Sequence, residues 1–272
     1  MIADYHMHLR TADEEIAHRP DAVDAFVDAA WTAGVDEIGF AEHVYYFRQM
    51  RQLWHVPYHV DRCLYDIEPY VEAVLDAKRR GLPVKLGLEV DYEPEREDET
   101  RELLATYPWD YLLGSVHFID GLGVDGEPRL ADAVGVEEAW RRYFDALAAA
   151  ARSGLFDSLS HPDLVKVFGQ RPDRSVVEEL HREVVPRIAA TGVAIEVSTS
   201  GLRKPVGELY PDPHLLALSR EHGVPVTVAS DAHEPRFVGA DFDRARELLR
   251  GAGYETITLF DRRQGRQVPF DD

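Results

Sequence analysis

The chain of 272 residues has one cysteine, Cys63, three methionines and no apolar run near the ~20 residues of a membrane span. A single cysteine excludes an intramolecular disulfide and a thiolate-cluster zinc site, and it fits a reducing compartment. The start, Met1-Ile2-Ala3-Asp4-Tyr5-His6, lacks the basic opening and apolar stretch of a secretory signal. A cytoplasmic protein is therefore expected. Cations are scarce: 30 Lys and Arg stand against 50 Asp and Glu, for a formal charge of −20. That charge repels nucleic acid and anionic membranes at long range, so neither is expected as a partner. A local cationic site for a small anion is still compatible with it. No Pro/Gly/Ser linker, low-complexity tract or repeat divides the chain, and one domain over residues 1–272 is expected. With 45% hydrophobic and 29% charged residues, a sizeable core is expected and disorder is not.

What the chain does have is twelve histidines and a regular alternation of short apolar runs with helical stretches. The runs are Ile2-Ala3, 37–41, 84–88, 111–116, 158–160, 193–197 and 226–229, each short and bounded by turn residues, as buried parallel strands are. Helical spacing follows them. Residues 21–33 repeat Val23, Phe26, Val27 and Ala30, and residues 137–152 set Trp140, Tyr143, Phe144 and Leu147 on one side. Residues 61–80, 175–191 and 242–252 read as further helices. Gly34, Gly81, Gly154, Gly192 and Gly223 stand where a left-handed stop is expected. About seven β/α units, with an extra strand over 256–260, suggest an α/β fold with a closed or nearly closed parallel barrel. An open doubly wound sheet is the alternative.

The strand ends carry the chemistry. They read His6-Met7-His8, Glu42-His43, Glu89, His117, His161 and Asp231-Ala232-His233, with Glu196 inside the sixth strand. In a parallel barrel all these ends face one rim, where active sites lie. In an extended H-x-H both rings point the same way, because the side-chain period is two. Asp231 and His233 share that spacing. Imidazole and carboxylate together suit zinc, iron, manganese and nickel alike, and a carboxylate such as Glu89 has two oxygens with which to bridge two ions. A lone H-x-H is a weak signal. Six separate strand ends each supplying His, Asp or Glu is a strong one. Among the other histidines, His181, His214 and His222 are expected to be solvated on helices. His18, His55 and His59 fall in loops, from which His55 or His59 has the reach to approach the rim.

These residues, in this order, resemble the signatures of the polymerase-and-histidinol-phosphatase (PHP) family of metal-dependent phosphoesterases: an N-terminal H-x-H, a second His after strand two, a third after strand five and a closing D-x-H. The resemblance covers residues 4 to about 240 and implies a distorted seven-stranded (β/α) barrel of TIM-barrel type. Gly114-Ser115-Val116-His117-Phe118, His161-Pro162-Asp163-Leu164-Val165-Lys166 and the stretch Glu196 to Lys204, followed by Tyr210-Pro211, are similar to the histidinol-phosphate phosphatase branch. That branch implies hydrolysis of L-histidinol phosphate in histidine biosynthesis. The family pattern implies three divalent ions (zinc, manganese or iron). One would be held by His6, His8, Glu89 and Asp231. A second would share Glu89 and add His117 and His161. The third would use His43, His233 and the residue six after His8, which is Glu14 where the family has Asp or His. Asp13, Glu15 and His18 compete for that last position.

Hydrolysis of a phosphomonoester dianion needs a nucleophile at neutral pH and relief of charge, and a metal that lowers the pKa of bound water towards ~7 answers both. Hydroxide between the first two ions is the expected attacker, so no Ser, Cys or Asp nucleophile is required. The leaving oxygen would take its proton from Asp231, His233 or a metal-bound water. Arg203 and Lys166, in the loops after strands six and five, are candidate contacts for the substrate phosphate. Glu196 is expected behind the ligands, with contact to the amino alcohol as the alternative. Tyr45, Tyr46, Phe47 and Trp54 are candidates for the amino-alcohol end or, equally, for packing within a lid. Three competing readings are a family phosphoesterase for a nucleotide or sugar phosphate, a non-catalytic metal-binding module, and an amidohydrolase. The closing D-x-H favours a phosphoesterase over the last.

Overall fold

The structure, a computed structural model, describes residues 1–11 and 15–270. Seven parallel strands pair in chain order: β1 (Ala3–Asp4), β2 (Glu37–His43), β3 (Val84–Asp91), β4 (Leu113–Ser115), β5 (Ser158–Leu159), β6 (Ala194–Ser198) and β7 (Val226–Ala229). The first strand runs on as extended chain. Tyr5 N–H donates to Val228 O, Ala232 N–H to His6 O and His8 N–H to Ala232 O, while Ala41 N–H donates to Met7 O on the other side. Those bonds join the first strand to the last and close the barrel, which decides against an open doubly wound sheet.

Helices α1 (Pro20–Ala33), α2 (Ile67–Arg79), α3 (Glu97–Leu104), α4 (Val136–Arg152), α5 (Arg174–Ala189) and α6 (Pro213–Glu221) fill the crossovers, and α7 (Phe242–Gly251) follows β7. Their apolar faces lie on the barrel. In α1 the buried residues are Ala22, Val23, Phe26, Val27 and Ala30, and in α4 they include Trp140, Tyr143, Phe144 and Leu147. Pro20 opens α1 at a position that needs no N–H donor. The five helix-ending glycines all take positive φ, from 66° at Gly154 to 82° at Gly81.

The helix expected over 61–80 is broken. A single turn, Pro57–Val60, comes first, and α2 starts only at Ile67. The cause is tertiary. Tyr65 N–H donates to Tyr46 O, and Arg48 N–H donates to Tyr65 O, which pulls residues 61–66 out of helix and leaves Leu64 exposed. Helices α3 and α6 are short, of eight and nine residues, and α3 is not indicated by the sequence pattern.

The base of the barrel is filled with aromatics. Tyr111 OH donates to Tyr5 O, and the rings of Tyr5, Tyr111 and Phe260 lie 5.1 to 6.0 Å apart. A Cβ at Gly39 or Gly87 would run into Tyr111, so both strand positions need glycine for this packing. Phe260 belongs to a terminal hairpin, β8 (Thr256–Asp261) and β9 (Gln264–Pro269). The sequence pattern indicates β8 but not its polar partner.

Candidate metal centre

The expected residues converge on the C-terminal rim. His43 and Glu89 are register partners on β2 and β3, so their side chains project the same way. His117 and His161 lie two residues past β4 and β5, and Asp231 and His233 lie two and four past β7. His161 and Asp231 hold their backbones at φ 24° and 50°, a region non-glycine residues avoid except where the surroundings impose it.

Distances between potential donor atoms define the cluster. Asp231 Oδ1 is 3.9 Å from His6 Nε2 and 3.4 Å from His8 Nε2. Glu89 Oε2 is 3.5 Å from His6 Nε2 and 3.7 Å from His8 Nε2. Ligand atoms ~2.1 Å from one tetrahedral ion stand ~3.4 Å apart, so this foursome has the required spacing. The other oxygen, Glu89 Oε1, faces His117 Nε2 at 3.4 Å and His161 Nε2 at 3.1 Å. Glu89 thus straddles two groups of histidines. His43 turns its Nδ1 to Glu89 Oε2 at 2.6 Å, and His8, His43 and His233 form a third set of neighbouring donors. Glu14 and Asp13 lie outside the described residues.

Four buried atoms in the cluster, His6 Nε2, His8 Nε2, His43 Nδ1 and Glu89 Oε2, make no well-aligned hydrogen bond among the described residues, although His43 Nδ1 and Glu89 Oε2 are close neighbours. Buried polar groups are nearly always satisfied, and their convergence on one point fits a divalent cation. The outward nitrogens are held in place. His6 Nδ1 pairs with Glu196 Oε2 at 2.9 Å, His8 Nδ1 with Glu42 Oε1 at 3.2 Å and His117 Nδ1 with Asp91 Oδ1 at 2.9 Å. Such carboxylates fix the ring orientation and raise the basicity of the facing nitrogen. Ser115 Oγ donates to Glu89 Oε1 at 2.7 Å.

The charges are strongly coupled. Burial alone would raise Glu89, but the His6, His43 and His117 charges outweigh it and hold the carboxyl well below its ordinary range. Burial likewise opposes the ionised Asp231, and His6, His8 and His233 overcome it. His6 moves well above its usual value: burial opposes the charge, and Glu196, Glu89 and Asp231 outweigh burial. His43 is pushed down to about 4, first by burial and then by His8.

A model of the PHP domain matches residues 4–200 of this sequence. The chain belongs to the PHP family. A protein called "probable histidinol-phosphatase" in Deinococcus radiodurans is 34% identical over 266 residues, covering 95% of this chain and 96% of that one. The histidinol-phosphatase of Lactococcus lactis is 25% identical, covering 94% and 93%. The crystal structure of a Lactococcus lactis histidinol phosphate phosphatase in complex with zinc, L-histidinol and phosphate superposes with a TM-score of 0.75 at 21% identity, covering 97% and 98%, and so has the same PHP barrel.

The PHP barrel treats the remaining expected residues differently. Lys166 does not reach the rim cavity. It is 1% exposed, donates to Leu209 O at 2.7 Å and pairs with Asp163 Oδ2 at 2.8 Å, so the ammonium is neutralised inside the fold. Arg203 lies behind the Asp231 turn, donates to the carbonyls of Ser230 and Asp231 and stacks over Phe237 at 4.9 Å. The cation lining the cavity is instead Lys204. His18 pairs with Glu42 Oε2 at 3.1 Å. His55 is exposed and away from the cluster, whereas His59 is fully buried beside Asp91. His181, expected in solvent, is also fully buried and pairs with His214 Nδ1 at 3.0 Å. Phe47 and Trp54 pack in the core, while Tyr45 and Tyr46 line the cavity. Sequence reasoning placed Glu42 at the second strand end without a role of its own and passed over Asp91. Asp91 follows Glu89 at the same two-residue spacing as H-x-H, and that spacing was the available signal.

Proposed function

We propose that this protein hydrolyses L-histidinol phosphate to L-histidinol and inorganic phosphate. The observation that carries the reading is the buried convergence of unpaired imidazole and carboxylate atoms at the floor of a cavity of about 230 Å³. Relatives named histidinol-phosphatase that match nearly the whole chain support the choice of substrate.

His6, His8, Glu89 and Asp231 would hold one ion, and Glu89 with His117 and His161 another. His43 and His233 would take part in a third site, for which Glu14 is the candidate third ligand. Divalent ions there supply a nucleophile from water at neutral pH and offset phosphoryl charge. The residues of the chain do the rest. Lys204 at the cavity wall attracts the phosphate dianion in a molecule whose overall charge would repel it. Arg203 holds the carbonyls of Ser230 and Asp231 and thereby keeps Asp231 aimed at His8. Asp125 lies on the cavity wall with Tyr45, Tyr46, Tyr58 and Phe118, an acidic and aromatic lining suited to an ammonium and an imidazole. As water adds to phosphorus and the P–O bond breaks, the leaving alkoxide needs a proton. The Asp231–His233 pair faces the cavity, with Asp231 Oδ1 3.5 Å from His233 Nδ1. Burial keeps His233 neutral, and the neighbouring histidines outweigh burial to keep Asp231 ionised. The pair would therefore take the proton released by the attacking water and pass it to the leaving oxygen.

The test is phosphate release from L-histidinol phosphate, nucleotides, sugar phosphates and a phosphodiester by protein loaded with Mn²⁺ or Zn²⁺. The expected result is a kcat/KM of at least ~10⁴ M⁻¹s⁻¹ for L-histidinol phosphate, far above the others. Weak, even activity across the panel would transfer the substrate assignment to another small phosphoester. No activity with metal bound would favour a binding module.

A further inference from the structure

His59 lies on the single turn Pro57–Val60, inside the segment that runs from β2 to α2, and it is fully buried. Its ring stacks on Tyr45 at 5.1 Å, meets Trp54 at 4.8 Å and receives Phe118 edge-on at 4.7 Å. Among the described residues neither ring nitrogen has a hydrogen-bond partner, and Asp91 Oδ2 has none either. A polar ring buried this way is costly unless something nearby answers it. The aromatic walls offer no acceptor. Among the described residues the charged group within ion-pair range is Asp91, whose Oδ1 is 3.6 Å from His59 Nε2. That same oxygen stands 2.9 Å from His117 Nδ1, and His117 Nε2 faces Glu89 Oε1 at 3.4 Å. His59, Asp91, His117 and Glu89 therefore form one chain of contacts, from the connecting segment into the cluster.

We propose that His59 is a positioning residue: by sharing Asp91 with His117 it fixes the carboxylate, and through it aims His117 Nε2 at Glu89. The proposal rests on the metal-centre reading above. The carboxylate has both imidazoles on one oxygen, Oδ1, and that confines its orientation. Gripped by His117 alone, it turns about its own bond and releases the ring it should hold. The conformation of the segment over residues 44–66 is thereby tied to ligand geometry at the rim.

The experiment uses full-length protein stripped of metal and titrated with Zn²⁺ by calorimetry, with Co²⁺ absorption as a second readout. His59→Phe keeps the aromatic packing and removes the contact to Asp91. His59→Gln returns an N–H donor. The expected result for His59→Phe is one class of sites weakened ~10–100-fold, the range for loss of a partner behind a ligand. The other sites keep their affinity, the Co²⁺ bands shift, and the metal-free Tm is preserved. His59→Gln recovers most of the loss. Asp91→Asn, which leaves His59 in place, gives the same single-class loss. Equal Zn²⁺ binding by wild type and His59→Phe overturns the proposal. So does an equal loss in both His59 substitutions with a lowered metal-free Tm, because that marks a core residue alone. Wild-type protein that takes up no Zn²⁺ overturns the metal-centre reading itself, and the wild-type arm separates that failure from the others.

Discussion

The two ends of the barrel handle buried polarity in opposite ways. At the base, apart from the Ser158 and Thr227 hydroxyls, the carboxylates, cations and phenols that enter the core find partners within the chain. Tyr111 OH reaches Tyr5 O, Asp110 accepts from Leu86 N–H at 2.8 Å and from Lys78 Nζ, and Arg263 grips Asp157 and Leu155 O. At the rim, imidazole and carboxylate atoms are just as deeply buried, yet several, four of them in the ligand cluster itself, make no hydrogen bond among the described residues. Satisfied polarity locks a fold. Convergent unsatisfied polarity is a cost the fold accepts only where a ligand completes the set. The base is thus built for stability and the rim for chemistry, the division expected of a (β/α) barrel.

Substitutions at the two ends should separate accordingly. The largest effect is expected at the rim. His117→Ala should remove a metal equivalent and lower kcat on the order of 10²–10³-fold, the scale for losing a group that stabilises the transition state. The circular dichroism of the barrel should stay intact. Metal analysis and turnover check it together, and unchanged values in both would remove His117 from the cluster. The reverse is expected at the base. Gly39→Ala drives a methyl into Tyr111 and Tyr5, and should cost about 1–3 kcal/mol of stability with metal stoichiometry unchanged in the folded fraction. A loss of metal without a loss of stability would break the contrast.

Smaller effects sharpen it. Lys204→Ala should raise KM for the phosphomonoester about tenfold, or roughly 1.4 kcal/mol of a charge-assisted contact, with metal content constant. Arg203→Ala should instead act through Asp231 and disturb metal binding with KM. Steady-state kinetics beside metal analysis distinguishes the two, and identical profiles would defeat the assignment of separate roles. The smallest effect lies outside both ends, at the His181–His214 contact between α5 and α6. Burial lowers the His181 pKa to about 3, while in the unfolded chain it titrates near ~6.5. The unfolded state alone binds the proton between those values. Stability present above pH ~6.5 is therefore lost as pH falls towards about 3. His181→Phe should flatten this acid limb in urea midpoints taken at about pH 7 and about pH 5. An unaltered slope would show that His181 does not contribute to it.

The PHP barrel and most of its rim were legible in the sequence. Parallel β/α repetition sends every C-terminal strand end to one face, so His6, His8, His43, Glu89, His117, His161, Asp231 and His233 could be gathered from their strand positions alone. Lys166 was not legible in this way. It follows a strand-end histidine closely enough to suggest a phosphate contact, yet Asp163, three residues earlier, captures it inside the fold. His181 carried no signal either, because one imidazole on an amphipathic helix looks the same whether it meets solvent or a second helix.

Local pattern by itself determined the strands, the helix stops at Gly34, Gly81, Gly154, Gly192 and Gly223, and the identity of the rim residues, since period-two and period-3.6 spacing are properties of adjacent residues. Only the tertiary structure decided which carboxylate stands behind which histidine: Glu196 behind His6, 190 positions away, Glu42 behind His8, and Asp91 between His59 and His117. It also withdrew Lys166 and seated the terminal hairpin under Tyr5. Those pairings depend on distances across the closed barrel, and a buried carboxylate takes its role from the partner that closure brings within about 3 Å.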